Sequence, residues 1–127
     1  MNFSESTQRA AGESLDELAD AISAVRAAVV STEVGLEPVA RARDASQAAR
    51  LSAVASSMAA LGVMAGEECD VGSFRSITQG AEEGFIVMRQ SRHPDSNLIL
   101  SVIADSEALV GKVILYGKKA AAQLARA

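Results

Sequence analysis

Aromatic side chains are scarce in this chain: no tryptophan, one tyrosine and three phenylalanines, although 49% of the 127 residues are hydrophobic. The core must therefore be aliphatic, built from alanine, valine, isoleucine, leucine and methionine. A single cysteine, Cys69, excludes an intramolecular disulfide, and sparse cysteine suits a reducing compartment, so a cytoplasmic location is expected. A single histidine, His93, leaves no zinc ligand set, because such sites take three or four Cys, His or carboxylate ligands. It also leaves no base beside a nucleophile, since His93 falls in the polar turn SRHPDSN without a nearby cysteine. No catalytic residue, metal site or cofactor is expected. Long apolar runs are missing too: no uninterrupted one reaches the roughly 20 residues that span a bilayer, and the polar N-terminus MNFSESTQRAAGES is not a signal peptide.

Basic charge is in short supply. Twelve Lys and Arg against sixteen Asp and Glu give a net charge of −4, which argues against nucleic acid as a partner. The charges are unevenly placed. Up to Glu37 there are seven acidic and two basic residues, and from Gly111 onward four basic and none acidic. The plain reading is helix-end complementarity, with attraction between an acidic first helix and a basic last one on the same face of a sheet. Other charged groups carry no chemistry. Glu67, Glu68 and Asp70 lack the spaced ligands of a calcium loop. Gly111-Lys112 lies inside a helical pattern, with Val113 where a phosphate loop needs Ser or Thr.

What the chain has is one unusual helix. In DASQAARLSAVASSMAALGVMA, residues 44–65, Leu51, Val54, Ala55, Met58, Leu61 and Ala65 recur at helical spacing and mark a core-facing side. The other side carries Ala49, Ser52, Ala53, Ser56, Ser57, Ala60 and Met64 where lysines and glutamates are usual. Small side chains admit close approach by another helix, and a smooth second side points to a partner. Asp44 and Gln47 form a capping-box-like start for it, as Ser14 and Glu17 do for an earlier helix through Leu15, Leu18, Ala19, Ile22 and Val25 that ends near Ala27. Residues 1–13 read as a flexible arm preceding a single domain, 14–127. Strands are expected at 28–32, 38–41, 74–79, 85–90 and 98–104. Gly35 marks the first hairpin turn and 80–84 a second, and LILSVIA is apolar at both parities, as a central strand covered on both faces would be. A last helix, capped by Asp105 or Ser106, should bury Leu109, Val110, Val113, Ile114, Gly117, Ala121 and Leu124. Short connections within each strand group imply hairpins. The expected fold is α/β: a three-layer domain, a five-stranded antiparallel sheet with helices on both faces, in the order α-β-β-α-β-β-β-α.

The segments AVVSTEVGLEPVARA, ARLSAVASSMAALG, FRSITQGAEEGFIVMRQ and LILSVIADSEALVGKVILYGKKAAAQL together resemble the roadblock (dynein light chain) family, including its bacterial gliding-motility members. The likeness runs from about Leu15 to Leu124 and consists of apolar periodicity and glycines, with no catalytic signature. Val34, where the family often has a polar or acidic residue, and Glu37, between Leu36 and Pro38, depart from its pattern. The resemblance implies a homodimer, or a heterodimer with a paralogue, with central helices packed together and third strands paired edge to edge. On this sequence that places the interface at Ala49, Ser52, Ala53, Ser56 and Ala60 of the helix and at Phe74, Ser76, Ile77 and Thr78 of the strand. It further implies a role in binding or regulating a small Ras-like GTPase, by stimulating it or by scaffolding, while the missing catalytic constellation, the net charge and the missing long apolar run lead us to expect no enzymatic activity, no nucleic-acid partner and no membrane insertion. Arg41, Arg43, Arg50, Arg75 and Arg89 are candidates for surface contact; Arg43, Asp44 and Arg50, flanking the smooth helix face, are the leading ones for the GTPase. The alternative is a small-ligand sensor or general scaffold of a signalling complex on a similar fold, which would need a pocket with converging polar groups.

Overall fold

The computed structural model of the protein describes residues 5–33, 35, 39–93 and 96–126. Helix α1 (Glu5–Ala21) leads into strands β1 (Val25–Thr32) and β2 (Val39–Arg41), then helix α2 (Ala45–Glu68). Strands β3 (Ser76–Ala81), β4 (Gly84–His93) and β5 (Ser96–Asp105) follow, and helix α3 (Val110–Arg126) ends the chain. The element order is the expected one. Every strand pairing is antiparallel, and the order across the sheet is β2-β1-β5-β4-β3.

Strand alternation distributes the core between two layers. Ala28 and Val30 of β1, Leu98, Leu100 and Val102 of β5 and Val87 of β4 face one way, onto Leu15 and Leu18 of α1 and Val113 and Leu124 of α3. Ala27, Val29, Met88 and Ile99 face the other way, onto Ala48, Leu51 and Ala55 of α2. The helix layers are bound to different extents. α1 and α3 are joined by the hydrogen bond from Ser14 Oγ to Gln123 Oε1, 2.9 Å. No ion pair joins them among the described residues, so the expected attraction between their opposite charges is not realised as a contact.

Several expectations shift. α1 begins at Glu5, so residues 5–13, expected as an arm, form its first turns, and Ser14 is a buried mid-helix residue rather than a cap. It ends at Ala21, because Val25 already belongs to β1, paired with Ala104. α3 starts at Val110, and Leu109, Val110 and Ile114, expected in the core, are exposed. Their spacing suited burial, but α3 lies on β4 through the Val113, Gly117 and Leu124 side. His93, read as a surface residue, is buried at the end of β4. Gly35 has the left-handed backbone (φ 85°) of a turn residue; Val34 and Glu37, where the family pattern breaks, lie outside the described residues.

Candidate interaction surface

α2 begins as its sequence dictates. Asp44 is the N-cap, its carboxylate accepting from the backbone N–H of Gln47 at 2.8 Å, while Gln47 Oε1 accepts from the N–H of Arg43 at 2.7 Å. The carboxyl of Asp44 is held below the usual aspartate range, first by that backbone hydrogen bond and then by Arg43 and Arg50. The helix ends in a Schellman motif: Val71 N–H donates to Gly66 O (3.0 Å) and Asp70 N–H to Glu67 O (3.2 Å), with Asp70 in the left-handed region at φ 57°.

The two sides of α2 are rotated from the expected split. Leu51 and Ala55 are buried and Met58 is half-buried on the sheet side, as expected, but the rest of that side is small residues, with Ala48 and Ser52 buried, Ala59 and Gly62 partly buried, and Gly66 buried near the end. Over Met88, Ile99 and Ile77 the small side chains of Ala55 and Ala59 let the helix come close to the sheet, with Met58 packed beside them. At Gly62 an added Cβ would lie 2.8 Å from a ring carbon of Phe74, and at Gly66 2.0 Å from the carbonyl oxygen of Gly72. Other larger apolar residues point outward. Val54 is 47% exposed, Leu61 63% and Met64 59%, alongside exposed Ala49, Ala53, Ser57 and Ala60. By length and composition α2 is apolar enough to cross a membrane, and only 22% of its most apolar window is buried. The same helix is seated on its own sheet through Ala48, Leu51 and Ala55, so its apolar exposure is confined to the outward flank.

The proposed interface residues divide. Ala49, Ala53 and Ala60 lie on the outward face. Ser52 does not: it is fully buried against the sheet, where its hydroxyl and that of Ser101 find no hydrogen-bond partner among the described residues. Ser56 is half-buried and donates to the carbonyl of Glu33 at 2.7 Å. Phe74 is a buried plug under α2, outside the strand. Ser76 and Thr78 are exposed on β3, and Ile77 packs toward α2. β3 is a sheet edge with both faces open apart from Ile77. The opposite edge, β2, is short and held down by α1, because Arg41 pairs with Asp16 and also reaches Gly12 O. Arg41 is thereby a structural clamp rather than a free surface contact. Arg43, Asp44 and Arg50 are exposed around the start of α2, with Arg43 Nε 3.5 Å from Asp44.

Between the second half of α2 and the sheet lies a hollow of about 280 Å³ lined by Ala59, Val63, Phe74 and Ile99. Its polar lining is limited to Glu33, Ser56 and Gln90. Sequence reasoning did not single out Val54, Leu61 and Val63 as outward residues. The signal was the run of small residues, whose closer fit to a sheet outweighs the hydropathy of the larger ones.

No family profile and no curated protein matches the sequence. Solved structures do match. The gliding protein MglB of Thermus thermophilus superposes with a TM-score of 0.86 at 20% identity, over 98% of this chain and 92% of that one. A structure described as MglB with tetrameric arrangement gives 0.84 at 22% identity, over 99% and 92%. A Roadblock/LC7 domain from Streptomyces avermitilis gives 0.79 at 21% identity, over 87% and 90%. The chain has the roadblock fold. The likeness covers 87% or more of this chain and 90% or more of the other in each superposition.

Proposed function

We propose that this roadblock domain is a homodimeric, non-enzymatic interaction module that binds or regulates a small Ras-like GTPase. The observation that carries the reading is the outward face of α2, where Val54, Leu61 and Met64 stand exposed among alanines and serines, with charges only toward its ends at Arg50 and Glu68. A contiguous apolar face of this kind is a liability in water and a natural interface between copies. The similar fold described in a tetrameric arrangement supports self-association, and the likeness to a gliding protein is in keeping with a role in a motility or signalling complex. Regulation would act by positioning the GTPase's own groups, since this chain has no phosphate loop and no base to direct water.

Sedimentation should show a dimer at micromolar concentration, and Ala53→Glu, which places a charge in the centre of the apolar face, should shift it to monomer or aggregate. The wild-type dimer alone should neither bind nor hydrolyse GTP. Added to a small Ras-like GTPase, it should change the hydrolysis rate or bind one nucleotide state in preference. A monomer, or hydrolysis by the isolated chain, would overturn the reading.

A further inference from the structure

The β3–β4 hairpin is charged at its two ends with opposite sign. Arg75, Arg89 and Arg92 line one hollow at the open end, and among the described residues none of them forms an ion pair. Glu82 and Glu83 form the two-residue turn at the other end, between Ala81 and Gly84. Between them runs the exposed edge of β3. Gln90 N–H donates to Arg75 O at 2.9 Å, which fixes the alternation: Ile77 and Gln79 bond inward to β4, and the amide groups of Ser76, Thr78 and Gly80 point away from the sheet. An unpaired edge of this kind is a template for another strand.

A second copy meeting this edge about a two-fold axis pairs antiparallel, and residues directly opposite each other share a face. Each register therefore places one residue opposite itself. The strand Ser76–Ala81 offers two central choices, Thr78 and Gln79. With Gln79 at the axis, Ile77 to Ala81 of one copy overlaps the same segment of the other, and Thr78 lies opposite the partner's Gly80. Ser76 then lies level with the partner's Glu82, and Arg75 with the partner's Glu83. Arg89, directly opposite Ser76 on β4, shares its face and stands one strand further in, about 10 Å from the partner's strand at normal spacing. With Thr78 at the axis the turn overshoots to the level of Phe74, and this match is lost.

We infer that β3 carries a charge-set code for self-pairing: the Arg75/Arg89 end of each copy receives the Glu82/Glu83 turn of the other, with Gln79 at the two-fold axis. The inference rests on the homodimer reading and specifies its register and its partner, a second copy of this chain. The two-fold repeats the match at both ends, so a strand with another charge pattern is discriminated against as well as this one favoured.

Two charge-reversed chains test it by sedimentation equilibrium in low salt: one with Arg75→Glu and Arg89→Glu, the other with Glu82→Arg and Glu83→Arg. Arg75, Glu82 and Glu83 are exposed and Arg89 is half-buried, and circular dichroism checks that each chain is folded. Each alone sets like charges together at both ends, and its dimer dissociation constant should rise about tenfold or more. An equimolar mixture restores opposite charges at both ends and should dimerise like the wild type. A chain bearing all four substitutions should also recover. Wild-type dimerisation by each reversed chain alone, or no recovery on mixing, would overturn the register while leaving the dimer standing. A wild-type monomer would overturn the dimer and the register together.

Discussion

Single residues at the end of α2 set how closely helix and sheet approach. Gly66 has no room for a methyl group, since its Cβ would sit 2.0 Å from the backbone oxygen of Gly72 and backbone cannot step aside cheaply. Gly66→Ala should therefore destabilise the domain by about 1–3 kcal/mol or more, read as a lower urea midpoint. Four residues on, Asp70 holds the left-handed backbone of the Schellman motif, a conformation that suits glycine better. Asp70→Gly should leave the motif intact and change stability by less than about 1 kcal/mol in either direction, because relief of φ strain is offset by a freer unfolded chain. Together the two substitutions separate a packing demand from a backbone demand within one turn. Neither demand was legible in the sequence, where Gly66 reads only as a helix stop.

Among the elements, β3 and α2 show best what sequence pattern can and cannot deliver. That β3 is a strand was visible from FRSITQ and the glycines after it, but which of its amides face outward depends on its register with β4. The register now distinguishes two proline substitutions. Thr78→Pro removes an outward N–H and should weaken the dimer with little loss of monomer stability, whereas Ile77→Pro removes a donor to β4 and should destabilise the hairpin itself. Sedimentation combined with thermal melting checks the contrast; identical behaviour of the two variants would contradict the edge assignment. α2 was legible in extent and capping, as Asp44 and Gln47 show, but not in rotation. Hydropathy ranks Val54 and Leu61 above Ala48 and Ala55, yet the smaller pair lies against the sheet with Leu51 and Met58 while Val54 and Leu61 point outward.

For the whole molecule, order and layering followed from the alternation of hydrophobic periods, because a strand apolar at both parities such as β5 has to lie in the middle with helices on both sides. The interface could be read only in part, since Ser52 and Phe74 look identical in sequence whether they meet a partner or their own sheet. The charged rim at the start of α2 belongs to this scale, because it is the dimer and not the single chain that would present two copies of it. Arg43→Glu with Arg50→Glu should slow association with a small Ras-like GTPase and flatten its salt dependence while the dimer persists, as stopped-flow mixing and sedimentation would show. The sheet order has one more consequence, for the way the chain folds. β1 lies against β5, with Ser31 donating to the carbonyl of Ile99 across 68 residues of sequence. The centre of the sheet cannot close until β5 arrives, and such distant pairings slow folding. During synthesis the apolar α2 emerges well before the surface it rests on is complete, so the segment best suited to meet a second copy in the finished protein is also the one most exposed to wrong encounters in the nascent chain.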